Sequence, residues 1–179
     1  MAHLEHPPKD IQWLDLIQFG RRDTLRELTL CVPWLLLSFG LYASPFWMLG
    51  PLASFMFFLC ALRLNHEAIH SNLGLSRKGD SIVMHVLSAI MLGANHAEAW
   101  CHLKHHKHNM DEHDIEGLCG RMSFWQVLRY GPRFPFDINR AAWSAGSRYW
   151  RRKMLIDWGL LLGFAALCLA SGYRFLLMH

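Results

Sequence analysis

Apolar positions in this chain gather into long runs, and the polar breaks between them hold most of its charge. Behind Pro7 and Pro8, Asp10 is placed to cap a short helix from Ile11 to Phe19, closed by Gly20 and suited to a membrane surface. Thr24 followed by Glu27 is a capping-box pattern that predicts the start of a second helix. Its apolar part, Leu28 to Tyr42, approaches with its flanks the ~20 residues that a membrane span needs. Ser44 and Pro45 predict a tight turn. Phe46 to Leu64 then forms a second apolar run, broken by Gly50-Pro51 and ended by Arg63. The two runs predict a transmembrane helical hairpin.

The next apolar stretch, Ile82 to Ala94, is shorter than a span, and Ser81, His85 and Ser88 place a polar stripe on one of its faces. An interfacial or re-entrant helix is expected there. From Gly117 to Lys153, Trp125, Tyr130, Trp143, Tyr149 and Trp150 alternate with arginines, a composition that suits a membrane surface. A third span is expected from Met154 to about Tyr173, with Asp157 one turn in and neutralised at the interface by Arg152 or Lys153. After the break Ser171-Gly172-Tyr173-Arg174, Phe175 to Met178 reads as the opening turn of a fourth span, and the sequence ends there mid-element. The expected fold is one all-α integral membrane domain over residues 1–179, C-terminally incomplete. It consists of a transmembrane hairpin, cytoplasmic-face amphipathic helices, a third transmembrane helix and the start of a fourth.

Composition supports the membrane class, because 53% hydrophobic residues with eight Trp and eleven Phe is too apolar for an ordinary soluble domain. The mean hydropathy is only slightly positive, as expected where apolar residues are confined to spans and the remainder faces water. A net charge of +4 could point to nucleic acid, but the basic residues flank apolar runs and read as topology determinants instead. Lys9, Arg21, Arg22 and Arg26 precede the hairpin, Arg63, Arg77 and Lys78 follow it, and its tip has no basic residue. The N-terminus and the segment after the hairpin are therefore expected to be cytoplasmic. Five cysteines without a C-x-x-C pair, three of them in apolar runs, predict no disulfide framework, and no cleavable signal peptide is expected.

Chemistry concentrates in the histidines. His66 and His70, at i and i+4, share one helical face where the second span emerges. His102, His105 and His106, at i, i+3 and i+4, place three more imidazoles together, and the segment between the two sets is too short to cross a bilayer and return. Five imidazoles at one depth predict a metal site, imidazole being the commonest neutral ligand of iron, copper and zinc. His85, His96, His108 and His113 are single histidines, read as interfacial in preference to extra ligands or donors from behind the ligands. Asp111, Glu112, Asp114 and Glu116 either orient imidazole N–H groups or form a solvated acidic loop. Cys101 lacks a spaced partner and is read as an inert thiol.

Asn65-His66-Glu67-Ala68-Ile69-His70 and His102-Leu103-Lys104-His105-His106 resemble the first and second histidine boxes of the membrane fatty acid desaturase superfamily. The order of hairpin, first box, amphipathic segment, second box and acidic run is also similar, over about Leu28 to Tyr173. The resemblance implies two iron ions, with His66, His70, His102, His105 and His106 as ligands. It further implies O2-dependent desaturation of a fatty acyl chain entering between the spans, with electrons from a separate ferredoxin-like or cytochrome-like protein. That superfamily carries a third box after its fourth span, whereas this sequence ends at His179, so a truncated form is expected. Otherwise the missing ligands come from His85, His96, His108, His113 or another chain.

Three alternatives accompany that reading. Carotenoid hydroxylases and ketolases use related boxes. His66-Glu67-Ala68-Ile69-His70 is also a literal H-E-x-x-H, so a membrane zinc metallopeptidase is the rival, with Glu98, Glu112 or Glu116 as third ligand and no role for the second box. An inactive metal-binding remnant would bind without turnover.

Overall fold

A computed structural model describes residues 20–107 and 114–178. The expected surface helix over 11–19 lies outside them, as do His108, Asp111, Glu112 and His113. The described residues form helices α1 (Arg21–Thr29), α2 (Val32–Tyr42), α3 (Gly50–Ile69), α4 (Arg77–Ile90), α5 (Asn95–Lys107), α6 (Phe124–Tyr130), α7 (Phe134–Ala145) and α8 (Arg148–Ala170). Three short 3-10 segments, Trp47–Leu49, Gly117–Arg121 and Arg174–Leu177, complete them, and no strand occurs among the described residues. The all-α expectation holds.

Three segments are long and apolar enough to cross a bilayer: Arg21–Tyr42, Trp47–Ile69 and Arg148–Ala170. Their outer faces leave Leu36, Leu52, Phe55, Leu160, Leu162 and Leu167 exposed, an apolar surface that belongs in lipid rather than water. The first segment starts earlier than the Thr24–Glu27 pattern predicts. Gly20 is the N-cap, its N–H donates to the Asp23 carboxylate at 3.0 Å, and the Thr24 hydroxyl bonds back to the Gly20 carbonyl. Asp23, at the third helical position, thus takes the part assigned to Glu27. Glu27 instead pairs with Arg63 at 2.9 Å, joining the open ends of the hairpin.

Arg63 ends the apolar run but not the helix, because its charge is met by Glu27 and the helix continues for six more residues. Gly50-Pro51 opens α3 rather than breaking it, since proline in the first turn sacrifices only an N–H that has no helical partner. Along α3, Ala53, Phe57, Ala61, Leu64 and Ala68 form one buried face, mostly of small side chains that let neighbouring helices approach. At the hairpin tip a Cβ on Gly50 would lie 2.5 Å from the Tyr42 ring. Gly50→Ala is therefore expected to destabilise the chain by about 1–2 kcal/mol, read by denaturant unfolding in detergent micelles; no loss would mean that the ring moves away freely.

Packing turns α4 the opposite way from a surface helix. Ser81 and Ser88 are buried together with Met84 and Leu87, whereas Ile82 and Val86 are 62% and 52% exposed, so the polar stripe faces the protein and part of the apolar surface faces outward. The stripe meets α8, which begins at Arg148 rather than at Met154 and ends at Ala170. Asp157 therefore sits in the third turn of its helix. It is fully buried and is not neutralised by Arg152 or Lys153: its carboxylate takes His85 and His96, while the Lys153 ammonium donates to Ser81 Oγ at 2.6 Å. A second buried cluster, Ala97, Cys101, Ile138, Ala142 and Met154, holds α5 against α7 and α8.

Candidate metal centre

α3 delivers the first pair of histidines at its end. His66 lies in the last turn and His70 is the C-cap, after which Ser71 adopts a left-handed φ of 56° and Asn72 N–H returns to the Glu67 carbonyl. That turn is the usual way to stop a helix, here with serine where glycine is commonest. α5 delivers the second set, and its start is pinned by buried contacts: Asn95 N–H donates to Ser88 Oγ and His96 N–H to Asp157. With the end of α3 and the start of α5 fixed in this way, the helical register places His102 and His106 opposite His66 and His70.

Ligand-capable nitrogens of His66, His70, His102 and His106 lie within 4.8 Å of one another. His102 Nε2 stands 3.0 Å from His70 Nε2 and 3.0 Å from His106 Nε2. Donors ~2.1 Å from one ion at tetrahedral angles are ~3.4 Å apart, so these spacings suit a shared cation. Electrostatics agree with that reading. The Glu116 carboxylate accepts from His102 Nδ1 at 2.7 Å, which assigns the ring's proton to Nδ1 and leaves one lone pair on Nε2. Two nitrogens approach that lone pair, and it can accept only one proton; an ion among the nitrogens satisfies all of them. Burial and then the neighbouring His66, His102 and His106 push the His70 pKa down, keeping it in the neutral form that binds metal.

Four of the five expected box histidines converge, and His105 stands outside the group. At i+3 it is ~100° around the helix from His106. Its Nδ1 bonds the Asp114 carboxylate at 2.7 Å, and its ring lies 6.3 Å from that of His102. Within the acidic run, Asp114 and Glu116 therefore act on imidazoles rather than standing as a solvated loop. Cys101 matches its expectation: it is buried, and burial, with Glu116 and Glu98 adding to it, pushes the thiol up to about 12. Glu67 is bonded by Asn72 at 3.0 Å.

Behind His66, buried Asn65 donates to Glu98 at 3.1 Å. Burial, and then the charge of Glu116, raises the Glu98 carboxyl from 4.5 to about 7. Because the folded chain holds this proton more tightly than the unfolded one, Glu98's own contribution to stability is greatest below pH 4.5 and is lost as pH rises through about 7. In the metal-free chain Glu98→Gln, which keeps the acceptor for Asn65, is expected to remove this slope and to be more stable by about 3 kcal/mol at pH 8. Unfolding curves across pH check both; parallel curves for the two proteins would contradict the protonated Glu98. Glu98 also borders an apolar cavity of about 400 Å³ between α3, α5 and α7, walled by Phe58, Leu62, Met91, Phe134 and Ile138.

His85 and His96 are not interfacial as expected. With Asp157 they form a second group of donors within 4.8 Å of one another. His85 Nδ1 is 2.5 Å from Asp157 Oδ1, and His96 Nδ1 is 3.0 Å from Oδ2. The signal that could have found this group was Asp157 itself, an ionisable residue inside an apolar span. Comparison with family models, curated proteins and solved structures finds no match to this chain.

Proposed function

We propose that the chain belongs to a membrane oxidoreductase that uses O2 to desaturate a fatty acyl chain, with iron held by His66, His70, His102 and His106. The observation that carries this reading is the meeting of two histidine pairs from separate helices where a span-length helix ends. Iron in such a site supplies dioxygen activation, and an all-nitrogen set of borderline donors suits it. Glu116 fixes the tautomer of His102, and Asp114 holds His105 beside the group. The cavity bordered by Glu98 has the mostly apolar lining that an alkyl chain requires. Electrons come from a separate ferredoxin-like or cytochrome-like protein, docking on the cytoplasmic side where the positive-inside pattern places the boxes.

The zinc peptidase reading gains less support. Four imidazoles within reach of one ion would fill the tetrahedral shell in which a catalytic zinc keeps a position for water, and Glu67 is engaged by Asn72.

The test is elemental analysis of protein purified in mild detergent without oxygen, beside His66→Ala, followed by mass spectrometry of lipids exposed to the protein. Iron bound by the wild-type chain and lost from the four-imidazole centre in the variant, with acyl chains lighter by a hydrogen pair, is the expected result. Oxygen added to a carotenoid would move the substrate class. Zinc lost in the same variant would favour the peptidase, and metal without turnover would mean an inactive remnant.

A further inference from the structure

α4, α5 and α8 bury a second set of ligand-capable groups that takes no part in the four-imidazole centre. His96 and Asp157 are 1% and 0% exposed, and the His85 side chain is 13% exposed. His96 precedes His102 by six residues, ~9 Å along α5 and about a third of a turn round it, so the two groups face different neighbours. We propose that His85, His96 and Asp157 form a separate structural site for a divalent transition-metal ion, bound by both Nδ1 atoms and the carboxylate.

Three observations converge on it. Asp157 lies within a span-length helix, where a carboxylate is costly unless its charge is met, and its partners among the described residues are two imidazoles and a backbone N–H. Both imidazoles turn the same nitrogen, Nδ1, toward one oxygen: Asp157 Oδ1 is 2.5 Å from His85 and 3.1 Å from His96. The outer partner that a ligating histidine needs is also in place, because His96 Nε2 lies 2.9 Å from Ser81 Oγ. With Nε2–H donating to Ser81, which also accepts from Lys153, the His96 Nδ1 lone pair is left for the ion. Two nitrogens and one oxygen suit Zn2+, Fe2+ or Co2+ and not Mg2+ or Ca2+. The near-complete burial leaves no room for a substrate, which makes the ion's role structural: it ties α8 and α4 to the start of α5, the helix that bears His102 and His106.

The same contacts can be held by protons alone, through a chain from Lys153 to Ser81 to His96 to Asp157, and the experiment separates the two. In detergent-solubilised chain carrying His70→Ala and His102→Ala, Co2+ titration is expected to give about one bound ion with visible d–d absorption and a raised unfolding temperature. Adding His85→Gln should weaken that binding at least ~100-fold and abolish the metal-dependent stabilisation, and Ser81→Ala should weaken it ~10-fold. No Co2+ bound by a folded double variant, or equal binding after His85→Gln, overturns the site. Where the double variant does not fold, the wild-type chain and His85→Gln alone are compared: about one ion fewer in the variant supports the site, and equal content overturns it. Because the four-imidazole centre is intact in that comparison, its own failure to bind would show separately, in the wild-type chain.

Discussion

Alanine at His102 is expected to weaken metal binding by the four-imidazole centre at least ~100-fold, more than the 10–100-fold typical of losing a partner behind a ligand. His102 is the hub of the group: its ring meets those of His66, His70 and His106 at 4.8, 5.1 and 4.5 Å between centroids. It is also the most buried of the four, and Glu116 holds its tautomer. Removing it deletes one ligand and leaves His70 and His106, 4.8 Å apart between ring centroids, as the remaining ring contact between the histidines of α3 and α5. Glu116→Gln, which keeps the bulk but not the charge, should cost ~10–100-fold. His105→Ala should cost less than either, because its ring lies outside the cluster. Metal titration of the three variants side by side checks this order, and a His105→Ala loss as large as that of His102→Ala would mean that the centre has a different ligand set.

Asp157→Ala is the second large effect, an expected loss of about 3–5 kcal/mol in unfolding free energy. The substitution removes the carboxylate that faces His85 Nδ1 and His96 Nδ1 and accepts from the His96 backbone N–H, in a place that water does not reach. That backbone N–H belongs to the first turn of α5, so Asp157 supplies from α8 the cap that a helix usually finds next to it in sequence. Loss of the cap should loosen the second histidine box as well as the bundle. Denaturant unfolding measures the first consequence, and hydrogen exchange along α5 measures the second. Asp157→Asn, which keeps an acceptor oxygen, should lose less. A cost below about 1 kcal/mol for the alanine variant would mean that the carboxylate carries little of the packing.

How much could be read before folding differs from residue to residue. Apolar run lengths predicted three spans, and all three segments are present, because membrane-scale hydrophobicity is a local, additive property of ~20 neighbouring residues. The pairing of His66 with His70, and of His102 with His106, was equally legible, since a four-residue step on a helix leaves little freedom. Helix starts were less so. Gly20, Asp23 and Thr24 compete for the same few N–H groups, and small differences in geometry decide among them.

Other features depended on partners far along the chain. Spacing alone could not exclude His105, whose ring is drawn aside by Asp114. The polar stripe of α4 reads the same on a surface helix and on one facing a buried carboxylate; Asp157, 72 residues beyond His85, decides which it is. Periodicity in the sequence determined which side chains share a face. Which face meets which was decided only when α3, α4, α5 and α8 packed, because burying Asp157 and the four imidazoles requires partners that no single helix contains.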